Sequence, residues 1–262
     1  MVLYSPEAKN RNSERVENMS ESKNFLSTPG WYPRLGAYAP FTTFVALPDE
    51  AVSYLASTER DTFGDVRGLE ERVQELFKRP LEAFSGYVFV TVDNCAPTDT
   101  ERFRDRHGAV HRAEQVWNIL CASEKVRRSA ARGEVSCVCL RPYHRMHVTR
   151  EFRLFIRDRG LVAMSQYHLI RHFRRLEGVR EKYWNIAAKL IGTIGWMLHE
   201  PDLVMDVYIS SDDRIQIVDL NPWGSPTDPL LLRSWDRDWS VPAGLVLMDP
   251  PAKLSGKVDV SF

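Results

Sequence analysis

Apolar positions along the chain change period several times, and each change marks an element. Leu69, Val73, Leu76 and Phe77 follow the i, i+4, i+7, i+8 spacing of an amphipathic helix. Trp184, Ala187, Leu190, Ile191, Ile194 and Met197 predict a longer helix over residues 183–198. Short runs rich in β-branched and aromatic residues predict strands over residues 41–47 (FTTFVAL), 86–92 (GYVFVTV), 135–141 (VSCVCLR), 151–157 (EFRLFIR) and 161–167 (LVAMSQY). The last two are separated by Asp158-Arg159-Gly160, a hairpin signal. Pro48-Asp49-Glu50 opens a short helix carrying Val52, Tyr54 and Leu55, and a polar helix is expected over residues 113–120. The turn-rich DNCAPTD (93–99) reads as a loop, and residues 239–262 are too interrupted by Pro and Gly to assign. Strands grouped in hairpins, with helices between the groups, predict an α+β fold with antiparallel sheets rather than a parallel Rossmann sheet.

Composition adds bounds. The 262 residues are 44% hydrophobic, enough for one large domain or two fused lobes. Lys+Arg and Asp+Glu both number 35, so no bulk charge draws the chain to nucleic acid or to an anionic membrane. Residues 1–28 are rich in Ser, Asn, Glu, Lys and Arg and read as a disordered polar tail without the apolar core of a secretory signal. No run approaches the roughly 18 apolar residues of a membrane span. The four cysteines, Cys95, Cys121, Cys137 and Cys139, lack the spacing of a disulfide framework. A soluble, reducing, cytoplasmic setting is expected.

Residues 204–228, VMDVYISSDDRIQIVDLNPWGSPTD, read as a second hairpin with an acid in each strand. A turn through Ser211-Asp212-Asp213-Arg214 would pair Ser210 with Ile215 and set Asp206 opposite Asp219. Their Cβ atoms would then be about 4.5–5.5 Å apart. Alternation puts Asn221 on the same face. Two carboxylates so placed need relief. A divalent cation with hard oxygen ligands, such as magnesium, gives it; so does an arginine partner or partial solvation. Asp206, Asp219 and Asn221 are therefore candidate metal ligands.

Several further stretches, taken with this hairpin, resemble the D123 family, also called the cell division cycle protein 123 family. Asp206-Val207-Tyr208 and the run from Asp219 through Asn221-Pro222-Trp223-Gly224 to Thr227-Asp228 match its signature, followed by Leu230, Leu231 and Trp235. Trp31-Tyr32-Pro33, Leu47-Pro48, Tyr54-Leu55, Ala96-Pro97 with Asp99, Leu140-Arg141, Glu151-Phe152-Arg153 and Ser165-Gln166 fit in order, covering about residues 30–236.

The resemblance implies an ATP-grasp fold over residues 29–262, with an N-terminal lobe over about 29–134, a C-terminal lobe over about 135–262, and ATP between them. It implies Mg2+ on Asp206, Asp219 and Asn221, and phosphate or partner contacts from Arg141 and Arg153. Backbone groups of Val138, Cys139 and Leu140 would meet the adenine edge, and Arg128 is a looser match to a family arginine. It also implies an ATP-dependent chaperone role in assembling translation initiation factor 2, with the gamma subunit as partner. Other ATP-grasp proteins are ligases, so an ATP-dependent ligase acting on a small molecule, a peptide or RNA ends is the alternative; only that reading involves nucleic acid. A third is a scaffold that binds a partner without nucleotide.

Departures from the family are local. Thr91 stands where the family has a phosphate lysine, Asp93-Asn94-Cys95 replaces Asn-Trp-Ser, and Tyr167 replaces an arginine. Cys137 and Cys139 with His144 and His147 form a possible zinc set of unusual spacing. Cys95 is a nucleophile candidate without a local signature. His168, His172 and the basic residues 171–175 read foremost as solvated surface.

Overall fold

The computed structural model describes residues 25–60 and 63–251. Most of the expected polar tail, residues 1–24, and the end of the chain, residues 252–262, lie outside the described residues. Contacts divide the chain into two units. The first runs to residue 146 and includes residues 216–220; the second takes residues 147–215 and those from 221 onward.

The first unit opens with α1 (Thr28–Leu35), capped by the Ser27 hydroxyl, which accepts from Gly30 N. Phe25 and Ser27, assigned to the polar tail from sequence, are buried. There follow β1 (Thr43–Ala46), α2 (Asp49–Ala56), α3 (Val66–Glu82), β2 (Val88–Val92), α4 (Glu101–Arg106), α5 (Ala113–Cys121), α6 (Glu124–Ala131) and β3 (Cys137–Pro142). The sheet order is β1-β3-β2, antiparallel throughout. Because β3 is its middle strand, it groups with the first unit, although the sequence reading placed the lobe boundary before it.

Strand alternation gives this sheet two distinct faces. Val45, Val88, Val90, Val92, Val138 and Leu140 enter the main core with Leu55, Leu69, Val73, Phe77, Trp117 and Leu120. Burying side chains of this size stabilises by about 1.5–3 kcal/mol each. Leu76, expected in the α3 stripe, is 40% exposed. The spacing i, i+4, i+8 of Leu69, Val73 and Phe77 already fills the buried stripe. The opposite face of the sheet carries Phe44, Phe89, Thr91, Cys137, Cys139 and Arg141.

The second unit comprises β4 (Glu151–Arg157), β5 (Gly160–Gln166), α7 (Arg174–Glu177), α8 (Arg180–Ile194), β6 (Leu203–Ile209) and β8 (Gly244–Val246); β7 (Ile215–Pro222) has residues in both units. The sheet order is β7-β6-β4-β5-β8, with β8 parallel to β5. The β4–β5 turn is a two-residue turn in which Asp158 and Arg159 both take positive φ, 49° and 61°, matching the twist of antiparallel strands. Gly195, just past α8, lies so close that an added Cβ would sit 2.7 Å from the Arg159 carbonyl oxygen. Tyr183, Ala187, Leu190, Ile191 and Ile194 form the buried stripe of α8, and the Tyr183 ring meets Phe152 edge-on at 5.5 Å. No helix among the described residues is long and apolar enough to cross a membrane.

Candidate functional site

The centre of interest in the second unit is β4, the middle strand of five. Arg153 stands directly opposite Asp206 on one side and Ser165 on the other. Its guanidinium grips the Asp206 carboxylate with two bonds, Nε to Oδ1 at 2.7 Å and Nη2 to Oδ2 at 2.8 Å. The third nitrogen, Nη1, donates to the Asp228 carbonyl at 2.8 Å, and the Tyr167 ring lies 5.3 Å from the guanidinium carbon. Asn221 Nδ2 donates to Asp206 Oδ2 at 3.1 Å. Both charged residues are only 7% exposed.

The segment after β7 seals this face, and the fingerprint run explains how. Gly224 takes φ 87°, and Thr227 N donates back to its carbonyl at 2.9 Å. Thr227 Oγ1 donates to Pro222 O at 2.7 Å, Trp235 Nε1 to Thr227 O at 2.9 Å, and Trp239 Nε1 to Trp235 O at 3.1 Å. Trp223, Trp235 and Trp239 pack around Phe155, two residues from Arg153 on the same face. In this apolar setting burial pushes the Asp206 carboxyl up, while the Arg153 bonds and charge and the Asn221 amide pull against it. Burial also works against the Arg153 charge, but Asp206 more than offsets it, so the guanidinium pKa is raised.

The expected relief of the strand acids is thus met at Asp206 by arginine. The hairpin turn is also tighter than expected. Ser210 N donates to Arg214 O at 2.9 Å and Asp213 N to Ser210 O at 3.1 Å, with Asp213 at φ 63°. Asp tolerates the left-handed conformation and absorbs the extra residue as a bulge, so Ser210 does not pair with Ile215. Along β7, Val218 and Asp219 are both half-buried between buried Ile217 and Leu220, so strict alternation fails there too. The expected placement of Asn221 beside Asp206 is found.

In the first unit, Arg141 is buried on the polar face of the small sheet. Nη1 donates to Val218 O at 3.0 Å and Nη2 to Thr28 Oγ1 at 3.2 Å, and Trp31 lies 5.8 Å from the guanidinium carbon. Nε has no partner in the structure. Burial lowers the Arg141 pKa, against the favourable charges of Cys139 and Asp219. The Asp219 carboxylate also accepts from Leu220 N at 3.0 Å. Thr91, at the position of the family lysine, shares this face with Arg141, and its buried hydroxyl has no partner in the structure.

Other expected site residues divide. Val138, Cys139 and Leu140 pair on both sides, with β1 and β2, so their N–H groups are used in the ladder and only second carbonyl lone pairs remain for a ligand. Arg128 sits on the outer surface of α6, its side chain 67% exposed and held by Glu124 at 2.9 Å. His147 receives Arg175 at 2.8 Å and contacts the Thr149 hydroxyl at 3.0 Å, and no cluster of three or more His, Cys, Asp or Glu suited to a metal occurs among the described residues. The expected zinc set therefore does not assemble. Burial raises the Cys95 thiol to about 11, which keeps it protonated and weakens it as a nucleophile. The sequence named Arg153 and Asp206 separately but missed their pairing, and it missed Asp93, whose carboxylate accepts from Ser136 N, Ser136 Oγ and Cys137 N at 2.8, 2.6 and 3.0 Å. The only sequence signal for Asp93 was an acid at the end of an apolar strand.

Comparison with known proteins places these features in a family. The D123 family model matches residues 69–237. A protein of Ajellomyces capsulatus named translation initiation factor eIF2 assembly protein is 38% identical over 101 residues, covering 37% of this chain and 23% of that protein. One of the same name from Aspergillus fumigatus is 25% identical over 251 residues, covering 78% of this chain and 60% of its own length. In both, the match covers 60% or less of the relative's length. The structure of Cdc123 from Schizosaccharomyces pombe superposes with a TM-score of 0.67 at 22% identity, covering 82% of this chain and 89% of that one. That likeness shows a shared fold, of the α+β class expected from the sequence.

Proposed function

Because this chain belongs to the D123 family, we propose that it binds ATP with magnesium and acts in the cytoplasm as an assembly chaperone for translation initiation factor 2, engaging its gamma subunit. The observation that carries the nucleotide part is the buried Arg153–Asp206–Asn221 group, where a carboxylate is held ready among hydrogen-bonding partners in an apolar setting. The names of the relatives support translation initiation factor 2 as the assembly served; the choice of the gamma subunit rests on the family resemblance alone.

The donor chemistry fits magnesium. Asp206 and Asp219 offer carboxylate oxygens, and Asn221 turns its amide nitrogen to Asp206, leaving its carbonyl oxygen for a cation. Bound there, magnesium would neutralise phosphate charge. Arg153 would hold phosphate oxygens, since a planar fork suits them. Arg141 would stand in for the family lysine, a reading supported by its sharing the buried sheet face with Thr91 and by its unpartnered Nε. Exposed Arg128, paired to Glu124, is the weaker candidate.

Isothermal titration with ATP and magnesium, together with capture of purified gamma subunit, tests the reading. Expected are nucleotide binding lost in Asp219→Asn and in Arg141→Gln, and gamma-subunit capture that depends on ATP. Absence of binding heat at millimolar nucleotide would sink the nucleotide part. Turnover of ATP that depends on an added small-molecule, peptide or RNA acceptor, without gamma-subunit capture, would replace chaperone by ligase.

A further inference from the structure

Cys137 and Cys139 alternate onto one face of β3, and their sulfurs stand 4.0 Å apart. Neither is in a disulfide. The strand itself keeps them apart. Two residues of extended chain separate Cα atoms by about 6.6–6.8 Å, the outer limit of disulfide geometry, where the sulfurs must close to about 2.05 Å. Closing that bond would bend the middle strand of the sheet, which pairs with β1 at both residues and with β2 at Cys139.

The same spacing suits a single soft ion. With metal–sulfur bonds of about 2.3 Å, sulfurs 4.0 Å apart subtend about 120° at the metal, and a small χ1 change opens this further. Zinc seeks four ligands, but no third His, Cys, Asp or Glu completes a set among the described residues. Two thiolates alone select a low-coordinate soft cation.

The surroundings agree on charge. Two thiolates and one monovalent cation carry a net single negative charge. Arg141, next on the same face, is 93% buried and keeps its Nε without a partner, and the buried Thr91 hydroxyl lies opposite Cys139. Exposed Ala46 lies opposite Cys137 and leaves that side of the pair open to an incoming ion.

We propose that Cys137 and Cys139 form a two-coordinate binding site for copper(I), with Arg141 as counter-charge. Binding forms two copper–sulfur bonds and displaces the protons of both thiols to solvent; no electron is transferred.

The test is anaerobic titration of the whole chain with copper(I) in competition with bicinchoninate, followed by ultraviolet thiolate-to-copper absorption. One copper per chain is expected, retained in Cys95→Ser/Cys121→Ser and lost in Cys137→Ser/Cys139→Ser. Each single substitution, Cys137→Ala or Cys139→Ala, should weaken binding by more than about 100-fold, beyond what outer partners of a metal supply. Circular dichroism identifies folded variants, and the single substitutions decide if the double one does not fold. Failure of the unaltered chain to compete, loss in the Cys95/Cys121 variant, or stoichiometric binding in a folded Cys137/Cys139 variant overturns the proposal. Zinc held as tightly as copper overturns the two-coordinate assignment.

Discussion

Replacing Arg153 with methionine isolates the largest electrostatic commitment in the second unit. The substitution keeps much of the aliphatic volume but removes the two bonds to Asp206, at 2.7 and 2.8 Å, and the bond to Asp228 O. Asp206 remains, 7% exposed, with Asn221 as its remaining hydrogen-bond donor of those described. Breaking a buried pair from one side typically costs about 3–5 kcal/mol. Against a total stability of about 5–15 kcal/mol, that is a large fraction. With a urea m-value of about 3 kcal/mol per M, the midpoint should fall by about 1–2 M.

The loss should depend on pH in one direction. Without the guanidinium, burial acts on Asp206 with less opposition, so its folded pKa rises further above the unfolded value of about 3.9. The folded variant then holds a proton that the unfolded chain has released, and stability falls as pH rises between the two pKa values. Urea unfolding of Arg153→Met should therefore approach the parent near pH 4 and diverge towards pH 8. Arg153→Met/Asp206→Leu should recover most of the loss, because no charge is left buried. A loss under about 1 kcal/mol, a loss independent of pH, or no recovery in the double variant would refute the reasoning.

Three other outcomes follow from the same structure. Asn221→Asp adds a second acid beside Asp206, so its melting temperature should fall at neutral pH and be recovered by millimolar magnesium; thermal shift with and without the ion checks this. Asp93→Ala strips the acceptor from two backbone amides and a hydroxyl and should cost at least about 2 kcal/mol, with faster hydrogen exchange at Ser136 and Cys137. His168 is raised above 6.5 by its bond with Glu151 at 3.1 Å. It should titrate above that value by NMR and return towards it in Glu151→Gln. Its contribution to stability is full below the unfolded pKa and fades as pH rises through the folded one.

Local pattern located β4 at residues 151–157 and most of β1, β2, β3 and β5, because short-range alternation decides these strands. It passed over α6, whose charged residues leave only Val126, Ser129 and Ala130 buried, and β8, whose pairing partner lies some eighty residues earlier. The polar loop before α5 hid α4 in the same way. At the site, strand alternation anticipated Asn221 beside Asp206, and the two are hydrogen-bonded. The Arg153–Asp206 pair was not anticipated, since it depends on β4 and β6 meeting across the intervening β5, α7 and α8. The hairpin register misled because a left-handed Asp213 shifts it by one residue, which composition does not reveal.

Gly195 has a bearing on how this chain can change. Its missing side chain is what lets the Arg159 carbonyl sit against the end of α8, and Arg159 N in turn donates to Pro201 O at 2.8 Å. The β4–β5 turn and the α8–β6 connection are therefore inherited as a matched pair. Lengthening the turn, or swapping either segment alone from a relative, puts the close contact and the Arg159 N–Pro201 O bond at risk, so a single recombination breakpoint between residues 160 and 195, which separates the two segments, should be poorly tolerated.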